Sequence, residues 1–299
     1  MASSPSLHDL VAAELAEPVD PRVSEMAAAI AALYPGAARA VLFYGSCLRE
    51  RQLDGLMLDF YLIVSDYRAA YGKSWLAAAN RLIPPNVFPF EHRGLTAKYA
   101  VLSENDFARE CDLSARTTSV FARFAQPSRL VWTADEAARA RAIAAVSRAP
   151  AALLHLTRPA MTDEAARDPL AIWRKGFAFT YAAELRAERG SRADSIVDAD
   201  PERYRRFAAA VDYPAQGVTE KQRQGSEAAW RQAARRGKCA NAMRLLKASF
   251  TFAGGIDYLA WKINRHAGTN IAVKPWQRRW PLVAGLILLP RLLKRGAIR

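Results

Sequence analysis

Residues 38–64 read ARAVLFYGSCLRERQLDGLMLDFYLIV, and this stretch decides the fold. An apolar run from Val41 to Tyr44 stops at Gly45-Ser46. A charged connector follows, and a second apolar run, Leu58 to Val64, carries Asp59 near its start. Short apolar runs rich in branched and aromatic residues, bounded by turn residues, read as strands. The pattern is therefore strand, tight turn, connector, strand with a lone acid. Glycine lets backbone N–H groups approach an anion closely, and the serine hydroxyl adds a donor. An ordinary turn uses the same dipeptide, so Asp59 is the informative residue: a carboxylate in an apolar strand is costly to bury unless paired or metal-bound.

Nucleotidyl transfer needs such a group, because magnesium must bridge a triphosphate during in-line displacement at the α-phosphorus. The common arrangement places a second acid two residues on, on the same strand face. Here that position is Tyr61. Asp54 in the connector reads as a solvated acid.

Outward from this stretch, residues 6–33 read as one or two helices broken around Pro18 and Pro21, with Pro35-Gly36 as a stop. Strands are predicted at 39–44, 58–64 and 95–102, a helical stretch at 66–83, and an extended Pro-rich segment at 84–94. Ser103 with Asp106 has helix-capping chemistry. Residues 113–124 read as helical, 128–132 as a short strand, and 134–149 as helical up to a boundary near Arg148–Pro150. Helices are expected at 169–189 and 201–211, a polar loop around 212–226, and a basic tail that is helical in pieces. The expected organisation is an N-terminal helical segment (1–35), an α+β domain with a mixed sheet and flanking helices (36–148), an α-rich second domain (149–240) and a basic amphipathic tail (241–299).

The 299 residues carry a formal charge of +14, and 51% are hydrophobic, which excludes a disordered chain. Fifteen lysines and arginines from Arg231 onward face one acid, Asp257, so this end holds the whole formal excess. Such asymmetry points to a polyanionic surface. The tail also has Trp261, Trp276, Trp280 and the run PLVAGLILLP (281–290), too short to span a bilayer of about 20 helical residues. Tryptophans, cations and that apolar run together predict an interfacial membrane anchor over a nucleic-acid surface. No basic residue precedes Arg22, which argues against a secretory signal or transit peptide. Three scattered cysteines predict a reducing compartment, and His8, His92, His155 and His266 show no metal-ligand spacing.

The run YGSCLRERQLDGLMLDFYLIV resembles the mitochondrial-type (Tam-type) phosphatidate cytidylyltransferases, whose members have YGSG, a connector and an LDF-type strand with one acid. LTAKYAVLSENDF resembles that family's Lys-Tyr-Gly-Val strand at Lys98 and Tyr99. FARFAQPSRLVW resembles its Gly-Arg-x-x-Lys-Pro segment at Arg123 and Pro127. TYAAELRAERGSRADSIV resembles a Ser-Tyr-x-Gly-Asp-x-Arg segment at Tyr181, Glu184 and Arg186, and KASFTFAGG a lysine-rich Phe-Thr-Ala-Gly stretch at Lys247, Thr251 and Gly254. The five matches are collinear over roughly residues 40–255. The chain departs from the family at Cys47, usually glycine, at Gln126, usually lysine, and in lacking a His-Tyr-Ser segment within 66–90.

The resemblance implies a nucleotidyltransferase-like fold and synthesis of CDP-diacylglycerol from CTP and phosphatidic acid. It implies a peripheral enzyme on the inner, cytoplasmic face of an anionic membrane, with no nucleic-acid partner expected. Tyr44, Gly45, Ser46, Lys98 and Arg123 would hold the nucleotide. Asp59 and Glu184 would bind Mg2+ or another divalent cation and, with Lys98, would be catalytic. Arg186 and Lys247 would bind substrate. Two other readings fit the residues: a nucleotidyltransferase acting on RNA, protein or a small molecule, and a non-catalytic basic adaptor.

Overall fold

The computed structural model describes residues 5–50, 53–72, 74–183, 191–213, 218–251 and residue 275. In chain order the elements are helices α1 (Leu7–Leu15) and α2 (Pro21–Ala32), strand β1 (Ala38–Tyr44), the short helix α3 (Ser46–Glu50) and β2 (Met57–Val64). Then follow α4 (Tyr67–Ala70), α5 (Ser74–Leu82), β3 (Asn86–His92), β4 (Leu95–Ser103), α6 (Glu104–Glu110), α7 (Ser119–Phe124) and β5 (Ser128–Thr133). The remaining helices are α8 (Glu136–Thr157), α9 (Pro169–Ala183), α10 (Ser191–Asp198), α11 (Pro201–Ala209) and α12 (Glu220–Thr251).

Local chemistry starts many of these helices. Ser6 and Asp9 form a reciprocal capping box at α1. Asp20 caps α2 and Asp200 caps α11, each followed by proline at the first helical position, where its missing N–H costs nothing. Ser103 accepts from the Asp106 N–H at the start of α6, as its sequence predicts.

The fold is α+β: a five-stranded mixed sheet with flanking helices, in the order β3-β4-β2-β1-β5. β2 and β4 run parallel, and the other neighbours are antiparallel. Side chains alternate between two faces. Val41, Phe43, Leu58, Phe60, Leu62, Tyr99 and Val101 pack with Val23, Met26 and Ile30 of α2 on one face. Ala40, Leu42, Tyr61, Ile63, Ala100 and Leu102 join a larger cluster on the other, which continues through α1, α6, α7, α8 and α9 to Trp230 of α12.

Three expected boundaries move. The helical stretch predicted to end near Arg148–Pro150 continues to Thr157, with Pro150 inside α8. Val146, Ala149, Leu153 and Leu154 around it are all buried, so packing outweighs the lost hydrogen bond, which costs about 3 kcal/mol in an isolated helix. The helix expected over 113–124 begins only at Ser119, because the backbone N–H groups of Arg116 and Thr117 are drawn to the Glu110 carboxylate. The polar loop around 212–226 yields to α12 at Glu220, where Thr219 and Gln222 bond reciprocally. The segment at 84–94 forms a full strand, β3, at the sheet edge. The tail beyond Thr251, apart from Pro275, lies outside the described residues.

α12 packs closely on α9. A Cβ at Gly237 would run into the backbone carbonyl of Ala183, whereas one at Gly225, on the same helix, would meet open space. Gly237→Ala is expected to lower stability by about 1–3 kcal/mol, and Gly225→Ala to be neutral or stabilising. Denaturant unfolding of the two variants checks this contrast.

Candidate functional site

One row across the sheet gathers the residues singled out at its centre. Tyr44 on β1 stands opposite Asp59 on β2, which stands opposite Lys98 on β4. Ser128 on β5 and Pro89 on β3 complete the row. Tyr44, Asp59 and Lys98 share alternation with Leu42, Tyr61 and Ala100, so they belong to the face covered by the larger cluster.

The Lys98 Nζ lies 3.1 Å from Asp59 Oδ1, with the two side chains 39% and 19% exposed. Gly45 follows Tyr44 directly and takes φ +100, a left-handed backbone that suits glycine. A Cβ there would sit 3.0 Å from Asp59 Oδ2, so the turn lies beside the carboxylate and a side chain would crowd it. Ser46 begins α3. Turn, acid and lysine thus converge on one end of the sheet although they come from three strands.

Tyr61 explains the missing second acid. It is buried, with ring centroids 5.3 Å from Tyr44 and 5.2 Å from Phe124. A carboxylate in that aromatic contact would bear a large desolvation cost. Phe124 also holds α7 against Tyr44, at 5.9 Å, and Arg123 is the adjacent residue of that helix. The Arg123 Nη1 donates to the Ser119 carbonyl. Nearby, Asp112 lies 3.7 Å from Arg148, and Glu110 binds Arg109 and the loop N–H groups.

The two departures near the turn have local explanations. Cys47 is buried within α3, and its thiol donates to the Met57 carbonyl at 3.5 Å. The positive φ belongs to Gly45 alone in this turn, so position 47 has a backbone open to any side chain. Gln126 donates to the Ala122 carbonyl at 2.8 Å, closing the end of α7.

Lys247 is placed differently from the rest. Its buried ammonium donates to the carbonyls of Ile83 and, at 2.9 Å, Pro85. Arg244, one turn earlier, donates to the Pro84 carbonyl (2.7 Å), Ser119 Oγ (3.1 Å) and Thr117 Oγ1 (3.3 Å). The pair fastens α12 to the turn between α5 and β3. Nothing in its sequence neighbourhood signals Arg244, because these three partners are more than a hundred residues away. Glu184 and Arg186 lie outside the described residues, which contain no group of three or more His, Cys, Asp or Glu able to hold a metal.

Burial, and secondarily the Arg244 charge, push the Lys247 amine down to about 7. An unfolded lysine titrates near 10.4, so between those values the unfolded chain binds a proton that the folded chain releases. Stability is therefore expected to rise with pH above 7, by at most about 1.4 kcal/mol per unit. Lys247→Met should flatten that rise. Denaturant unfolding of both proteins from pH 7 to 10 checks it, and parallel curves would refute it.

No family model and no curated protein matches the chain. Among solved structures it is similar to the crystal structure of a nucleotidyltransferase-like protein from Exiguobacterium sibiricum 255-15, at 10% identity over 93% of each chain, with a TM-score of 0.29. A TM-score this low carries no functional inference, so the function must be read from the residues. Among the described residues, no helix is long and apolar enough to cross a membrane.

Proposed function

We propose that the chain is a nucleotidyltransferase that works at the Gly45–Asp59–Lys98 end of the sheet, with CTP and phosphatidic acid as its substrates. The observation that supports it is the position of Asp59, whose carboxylate lies beside the Gly45 turn and pairs with the Lys98 ammonium at 3.1 Å. A glycine turn, a hard oxygen ligand and a cation are what a nucleoside triphosphate requires. The choice of lipid and of cytidine nucleotide rests on the family resemblance.

The donor chemistry fits magnesium, which is commonly held by one or two carboxylates plus substrate phosphates and water. Asp59 would be the protein ligand, with Glu184 the second one implied by the resemblance. When bound, the ion would offset charge on the triphosphate and on departing pyrophosphate.

The chain's own residues do the positioning. Gly45 and Ser46 offer backbone and hydroxyl donors to the phosphates. Lys98 would exchange Asp59 for a phosphate oxygen as the triphosphate enters, and Arg123 and Tyr44 would flank the nucleotide. A lipid phosphate oxygen would then form a bond to the α-phosphorus as the bond to the β-phosphate oxygen breaks and pyrophosphate leaves. Alignment and fixed charge supply the acceleration.

The test is pyrophosphate release from each of the four nucleoside triphosphates with magnesium, with and without phosphatidate vesicles. Release only with CTP and phosphatidate supports the full reading. Release with another acceptor, such as RNA, protein or a small molecule, keeps the transferase and removes the lipid. No release with any combination removes the enzyme and leaves a basic adaptor.

A further inference from the structure

Outside the site, the most unusual surface lies where α5, the Ile83–Pro85 turn and α12 meet. Trp75 and Leu82, seven residues apart on one side of α5, are 48% and 75% exposed. Met243 on α12 is 42% exposed, beside the Arg244 and Lys247 contacts that bind this helix to the turn. One to two helical turns earlier, Arg235, Arg236 and Lys238 are exposed and hold no acid partner among the described residues.

We propose that this surface is where the protein docks on an anionic lipid bilayer, with Trp75, Leu82 and Met243 entering the head-group region and the α12 cations meeting the lipid charge. Large apolar side chains grouped on an exposed surface mark interaction sites. A tryptophan and aliphatic tips flanked by unpartnered cations match an interfacial lipid contact. A nucleic acid would use the cations but would gain nothing from Leu82, which offers neither charge nor a stacking face. The inference rests on the lipid-substrate reading above and adds which part of the described chain meets the bilayer.

The experiment is flotation of the full chain with phosphatidylcholine vesicles that either contain phosphatidate or lack it. Two variants are compared with the native chain: Trp75→Ala/Leu82→Ser, and Arg235→Glu/Arg236→Glu/Lys238→Glu. Each is expected to lower binding to phosphatidate vesicles by about tenfold or more. Unfolding and turnover on monomeric short-chain phosphatidate should stay unchanged. Native-like flotation of both variants overturns the proposal, and so does a native chain that does not float. Loss of nucleic-acid binding or of self-association in the variants, with flotation intact, overturns it in favour of those partners. If the native chain makes no CDP-diacylglycerol yet the variants lose flotation, the docking surface stands and the enzymatic reading falls. If it makes the product and the variants float normally, the reverse holds.

Discussion

Asp59→Asn is expected to lower turnover by two to three orders of magnitude, roughly 10²–10³-fold, while leaving the fold intact. The substitution keeps the shape and removes the charge that faces Lys98 at 3.1 Å. Lys98 and Asp59 sit on neighbouring parallel strands held by the full β2–β4 register, so this partly exposed pair contributes little to stability, about 0–1 kcal/mol. Activity and stability should therefore separate. Gly45→Ala should also impair turnover, because it adds a side chain at φ +100 and crowds Asp59 Oδ2. Steady-state pyrophosphate release alongside thermal unfolding measures both effects. A variant that loses its fold and its activity together would show that Asp59 is structural.

The largest stability effect is expected far from the site. Arg203 of α11 is buried against Glu14 of α1: its Nη2 lies 3.0 Å from Glu14 Oε1, and its Nε bonds Oε2. Its Nη1 donates to the Ala125 carbonyl at 3.1 Å, at the end of α7. The guanidinium also stacks on Tyr204 and Phe207, 4.9 and 4.2 Å from the ring centroids. Three helices thus share one fork-shaped contact. Removing either partner leaves a buried charge, at a cost of about 3–5 kcal/mol. Arg203→Ala and Glu14→Ala should each show that loss in denaturant unfolding. Arg203→Met combined with Glu14→Leu should recover most of it, because no charge is then stranded. If the double variant is as unstable as the sum of the singles, stranded charge is not the cause.

The sheet centre was legible because its two central strands are short apolar runs with glycine punctuation. Val41 to Tyr44 and Leu58 to Val64 are apolar along almost their whole length, as strands covered on both faces are, and Gly45 marks the turn. Asp59 and Lys98 stood out as charges in apolar strands, and the parallel β2–β4 pairing brings them together. What sequence could not show depends on distance along the chain. Glu14 and Arg203 are 189 residues apart, and either alone reads as a solvated charge. Lys247 donates to carbonyls of a turn about 160 residues away, contacts that its local sequence does not announce. Pro150 looked like a helix end because local propensity says so, and tertiary packing of α8 overrides it.

The most direct measurement follows the label from CTP carrying radioactive phosphorus at the α-position, incubated with magnesium, phosphatidate vesicles and the native chain. The account predicts label in the lipid extract as CDP-diacylglycerol, one unlabelled pyrophosphate per label transferred, and near-complete loss of transfer with Asp59→Asn. Lipid that stays unlabelled, or transfer that persists in Asp59→Asn at the native rate, would contradict it.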